Sequence, residues 1–83
     1  MATKNFKVIA KVISTSYKST TSYGNNVYFV EIETQNGERM KGYTLPNAAI
    51  GYYINNSPFR NYCVITCHYT KSGALVLESA KSL

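Results

Sequence analysis

The chain has 83 residues, 45% hydrophobic and 16% charged, a size and balance that give one globular domain, residues 1–83, with a single small core. A formal net charge of +5 favours phosphate or an acidic surface as partner. Four acids, all glutamate, and one histidine, His68, can hardly supply a convergent acid/base or metal-binding group, so no enzyme, cofactor or metal centre is expected.

Phe6 to Ser14 alternates, with Phe6, Val8, Ala10 and Val12 on one face and Lys7, Ile9, Lys11 and Ile13 on the other. This predicts a half-buried first strand. Thr15 to Asn26 is rich in hydroxyls and free of aliphatic residues, which predicts a long connector. Its Tyr17, Lys18 and Tyr23 read as exposed contact residues, tyrosines packed back on the domain being the other reading. Gly24-Asn25-Asn26 supplies the turn into the next strand.

Val27 to Leu45 reads as a β-hairpin, and its register can be tested against its own side chains. A two-residue Asn36-Gly37 loop would put Ile32 opposite Lys41 and Val30 opposite Tyr43, mixing core and surface on both faces. A three-residue loop, Gln35-Asn36-Gly37 with Gly37 in the left-handed region, shifts every pair by one. One face then carries Ile32/Met40, Val30/Gly42 and Tyr28/Thr44. The other carries Glu33/Arg39, Glu31/Lys41, Phe29/Tyr43 and Val27/Leu45. This register is preferred on pairing logic, because a slip of one residue scrambles both faces. It leaves Phe29 and Tyr43 as an outward aromatic pair beside two cross-strand ion pairs.

Pro46 to Asn55 is the one helix candidate, weakened by Gly51, with an extended Tyr52-Tyr53-Ile54 as the other reading, and Asn55-Asn56-Ser57-Pro58 ends it either way. Tyr62 to Thr70 predicts a fourth strand, and Lys71-Ser72-Gly73 turns into a fifth, Ala74 to Ser79, leaving Ala80 to Leu83 as a tail. The same loop logic pairs Tyr69/Leu75, Cys67/Leu77 and Ile65/Ser79 on the inner face, with His68/Val76 and Thr66/Glu78 outside. Cys63 and Cys67, four apart on one strand, are separated by roughly 13 Å, beyond disulfide reach, and read as reduced core residues. With no signal-peptide pattern and no apolar run near 18 residues, a cytoplasmic protein is expected, in a bacterial host if phage-encoded.

Three strands, a short helix and two strands is the order of the OB-fold, a five-stranded, mainly β barrel. Such barrels bind on the outer faces of strands two and three and on the loops joining strands one to two and four to five. Phe29, Tyr43, Arg39, Lys41, Tyr17, Lys18, Tyr23 and Lys71 fall in those places, with Lys11 beside them. The chain resembles the small OB-fold single-stranded-DNA-binding proteins of bacteriophages, of the filamentous-phage type. The resemblance rests on size, basicity, Ser22-Tyr23-Gly24-Asn25-Asn26-Val27-Tyr28, and Tyr62-x-Val64 followed by Gly73-x-Leu75-x-Leu77, about a quarter of the chain. It implies a binding wing carried by Tyr23, Gly24 and Tyr28, and a homodimer. The wing has no arginine, and Glu31 and Glu33 lie on the face that would meet phosphate. The expected function is sequence-tolerant binding of single-stranded DNA or RNA, bases stacking on Phe29, Tyr43 and a loop tyrosine while lysines and Arg39 track the backbone. A small β-barrel module of a phage or mobile element that binds a host or assembly protein is the rival reading, since Tyr and Arg also suit protein interfaces.

Overall fold

The computed structural model describes residues 4–83 as a closed five-stranded barrel of OB type. Its strands are β1 (Phe6–Thr20), β2 (Asn26–Thr34), β3 (Arg39–Thr44), β4 (Cys63–Tyr69) and β5 (Leu75–Ser82). They close in the order β1-β2-β3-β5-β4, antiparallel everywhere except between β3 and β5, which run parallel.

The central hairpin has the bulged register. Glu33 pairs with Arg39, Ile32 with Met40, Glu31 with Lys41, Val30 with Gly42 and Phe29 with Tyr43. Gly37 adopts φ 83°, and the Thr34 amide donates to the Glu38 carbonyl at 2.8 Å. The same turn closes all three hairpins. Thr21, Thr34 and Thr70 each stand three residues before a glycine at φ 83–89°, accept that glycine's amide on their carbonyl, and accept the next residue's amide on Oγ1 at 3.1–3.2 Å. Glycine is needed because an L side chain in this left-handed conformation is strained. The threonine hydroxyl satisfies an amide that the turn would otherwise leave to solvent.

This repeated turn corrects the first connector. Thr15 to Thr20 is strand, and the loop shrinks to Thr21–Asn25. A hydroxyl-rich run without aliphatic residues carries no hydrophobic alternation, so its extended pairing with β2 leaves no trace in polarity. Two bulges keep the long strand in step. Ile13 is extra between the pairs Val12/Ile32 and Ser14/Glu31, and Lys18 is extra between Tyr17/Tyr28 and Ser19/Val27.

A third bulge, at Glu78, corrects the end of the chain. Up to Leu77 the pairing is as expected, but Thr66 then meets Ser79 and Ile65 meets Ala80, and β5 runs on to Ser82. The extra residue lets Ala80 replace Ser79 on the inner face, so an apolar side chain faces the core. The expected ten-residue helix is also shorter. Asn47 sits at φ 60°, outside helical geometry, and only Ile50–Tyr53 forms α1, followed by a 3-10 turn at Ser57–Arg60. These two short pieces pack Ile50, Ile54 and Phe59 into the same buried cluster as Val12, Val30, Ile32, Ile65 and Leu77. Each such burial stabilises by about 1.5–3 kcal/mol. Tyr53 accepts the Ala80 amide on its hydroxyl at 3.0 Å and pins α1 to β5.

Gly42 sits where β3 approaches β5 most closely: a Cβ there would lie 2.5 Å from the Leu75 carbonyl oxygen and 2.9 Å from Leu77 Cδ1. Cys63 and Cys67 are free and fully buried, and the Cys63 thiol donates to the Ala10 carbonyl at 3.3 Å. Burial pushes both thiols above 9.0, Cys67 to about 12 with a smaller push from the Glu78 carboxylate. Folding favours the protonated thiols, so their contribution is complete below about pH 9 and falls as the pH rises towards 12.

Gly42→Ala should destabilise the fold by roughly 1–3 kcal/mol in urea titration, since backbone on β5 cannot move away cheaply. An unchanged midpoint would show that the β3–β5 contact tolerates a methyl group. A disulfide-exchange reagent at mildly alkaline pH should label neither cysteine until urea unfolds the chain; rapid labelling of the folded protein would contradict the buried, protonated state.

Candidate functional site

The register across the barrel places one row of side chains on its outer surface. Ser16 pairs with Phe29, Phe29 with Tyr43, Tyr43 with Val76 and Val76 with His68, so the row crosses all five strands. Phe29 is 49% exposed, whereas Val76 in the middle of the row is buried. A half-exposed phenylalanine beside a tyrosine on a strand surface is a flat apolar platform.

Lys18 completes the platform. It is the extra residue of the second β1 bulge, two residues after Ser16 and on the same face, and its Nζ lies 5.8 Å from the Phe29 ring centre and 5.3 Å from that of Tyr43. One ammonium therefore rests over two rings, within cation–π range of both. The platform lines a groove of about 750 Å³ that also takes in Ser14, Arg39, Lys41, Tyr69 and the start of β5.

The other cations are less free. Glu33 holds Lys11 at 3.6 Å and Arg39 Nε at 3.7 Å, and Arg39 also reaches Glu31 at 4.0 Å. Lys11 in addition lies 5.2 Å from the Tyr62 ring centre. The expected Glu31/Lys41 neighbours are paired in register but make no ion pair: Arg39 takes both glutamates, and among the described residues Lys41 has no carboxylate partner.

The nine residues singled out from the sequence thus fall into groups. Phe29, Tyr43, Lys18, Arg39 and Lys41 meet at the groove. Lys11 stands at its edge in the Glu33 network. Lys71 is exposed on the β4–β5 turn and Tyr23, 82% exposed, on the β1–β2 turn, neither of them lining the groove. Tyr17 is turned to the other side of the β1–β2 hairpin by its pairing with Tyr28, whose ring it meets edge-on, and its hydroxyl bonds Thr20.

Tyr69 lines the groove although its register partner, Leu75, is buried. The sequence reading put Tyr69 inside; it is the last residue of β4, 44% exposed, and stacks on Phe6 at 5.5 Å. Its place next to the Lys71-Ser72-Gly73 turn was the available signal. His68 and Glu78 bond each other through Nδ1 and Oε2 at the far end of the row, which accounts for the only histidine. Among the described residues no three His, Cys, Asp or Glu side chains converge, and no helix is long and apolar enough to cross a membrane. No protein-family model, curated protein or solved structure matches the chain.

The Glu33 network is partly exposed, at 26–64% of side-chain area, so solvent screens it. A double-mutant cycle of Lys11→Met and Glu33→Gln should give a coupling under about 1 kcal/mol in chemical denaturation. A coupling several times larger would make the network structural rather than a surface feature.

Proposed function

We propose that the protein is a non-catalytic, sequence-tolerant binder of single-stranded nucleic acid, with DNA as the first candidate. The observation that carries this reading is the solvent-facing Phe29–Tyr43 platform under the Lys18 ammonium, in a groove on the β2–β3 face of an OB-type barrel. Bases displace the exposed Lys18 side chain from the two rings and stack there at about 1–3 kcal/mol each without regard to sequence, because every base has a flat π face. Lys18 and Lys41, free of carboxylate partners among the described residues, are the best placed to meet backbone phosphates, with Lys71 on the neighbouring turn. Lys11 and Arg39 contribute less, since a phosphate must first compete with Glu33. The likeness to the filamentous-phage type of single-stranded-DNA-binding protein belongs to this proposal, the homodimer included.

Fluorescence anisotropy with labelled oligo-dT should show binding that weakens log-linearly with salt. The slope should be near −2, from about 0.7 per phosphate for three cations, and affinity for duplex of equal length should be lower. Phe29→Ala and Tyr43→Ala should each weaken binding at least fivefold, with circular dichroism and urea midpoints close to those of the parent, because both side chains lie outside the core cluster. No binding at low salt would overturn the proposal in favour of a protein-interaction module; binding untouched by both substitutions would overturn the platform.

A further inference from the structure

The two glutamates beside the platform differ in a way that bears on which bases it takes. Glu33 is engaged by two cations at 3.6 and 3.7 Å and does not line the groove. Glu31 does line it, and its contacts are slack: Arg39 Nη1 at 4.0 Å from Oε2, and the Ser14 hydroxyl at 3.5 Å from Oε1. A half-shielded carboxylate with weak partners is an acceptor in want of donors. Glu31 follows Phe29 by two residues on the same strand face, about 6–7 Å along the sheet. That is the span from the centre of a stacked base to a hydrogen-bond partner beyond its edge. Lys41 stands directly across from Glu31 in register, so an acceptor and a donor lie side by side at that edge.

We propose that Glu31 and Lys41 read the edge of a base stacked on Phe29 and Tyr43, and that the site prefers amino-bearing bases over thymine. Cytosine, adenine and guanine each present an N–H donor next to an acceptor, which matches a carboxylate beside an ammonium. Thymine has such a pair too, but its one N–H is set back in the ring between two carbonyl oxygens, so a carboxylate that accepts from it lies against one oxygen even with the other on Lys41. The platform itself is indifferent to sequence, so Glu31 superimposes a bias on tolerant binding. The Lys41 ammonium has three N–H donors, enough for a base edge and a backbone phosphate at once.

This inference rests on the nucleic-acid reading above, and the experiment separates the two. Oligo-dC and oligo-dT of equal length, at neutral pH and fixed salt, present bases of the same ring size that differ in the exocyclic group. The parent protein should bind oligo-dC roughly three- to tenfold more tightly, as one charge-assisted hydrogen bond at a partly exposed site supplies. Glu31→Gln, which keeps the shape and adds a donor, should bring the ratio close to one, while Glu33→Gln should leave it unchanged. Equal affinities in the parent overturn the inference. So does a Glu31→Gln variant that gains affinity for both oligonucleotides with the ratio preserved, because the carboxylate would then act only by repulsion. Failure of the parent to bind either oligonucleotide overturns the nucleic-acid reading itself, and this inference with it.

Discussion

The barrel depends on one short parallel contact. Every other neighbouring pair of strands is an antiparallel ladder that a hairpin or a long crossover can build, but β3 and β5 meet over three residue pairs only, Gly42/Leu75, Tyr43/Val76 and Thr44/Leu77. Gly42 makes the approach feasible, because the space its side chain would take is filled by the Leu75 carbonyl and the Leu77 side chain. The Leu45 amide extends the contact by donating to the Leu77 carbonyl at 2.9 Å. Closure matters beyond stability. It brings Tyr43 next to Val76, joining the β2–β3 face to the β4–β5 hairpin, so that a groove lined by β1, β2, β3, β4 and β5 side chains exists at all.

Around that closure, local irregularities aim the side chains. The bulge at Ile13 inverts the alternation of β1, so that Ser14, Ser16 and Lys18 face outward and the Lys18 ammonium lies over two rings. The bulge at Glu78 swaps Ser79 for Ala80 at the core, and the freed carboxylate lies against His68. A perfectly regular ladder would have left Lys18 on the side of Ala10 and Val12, away from the platform. Bulges next to a groove are thus a means of positioning as much as a relief of twist.

Charge is distributed with the same economy. Three of the four acids lie on the β2–β3 hairpin, and Glu33 alone ties down Lys11 and Arg39. A net charge of +5 therefore overstates the cation available at the groove, where Lys18 and Lys41 have no carboxylate partner among the described residues. The aromatic residues are the firmer part of the site. Their placement follows from backbone register, whereas the lysine and arginine termini choose among partners at nearly equal cost.

Periodicity within the sequence determined the strands that carry aliphatic residues, the bulged register of the central hairpin, and with it the outward pairing of Phe29 and Tyr43, because core-facing Val30 and Ile32 admit only that alignment. It also contained the Thr-x-x-Gly turn three times, although the copy at Thr21 was hidden by the hydroxyl-rich run in front of it, whose paired edge is set by hydrogen bonds rather than by polarity. Tertiary structure alone decided the rest. The bulges at Ile13, Lys18 and Glu78, the exposure of Tyr69 and the choice of Arg39 over Lys41 by Glu31 all depend on which strand lies alongside and how far it twists. A side chain's face can be read from its neighbours in sequence only while the strand stays regular, and at this site β1 does not.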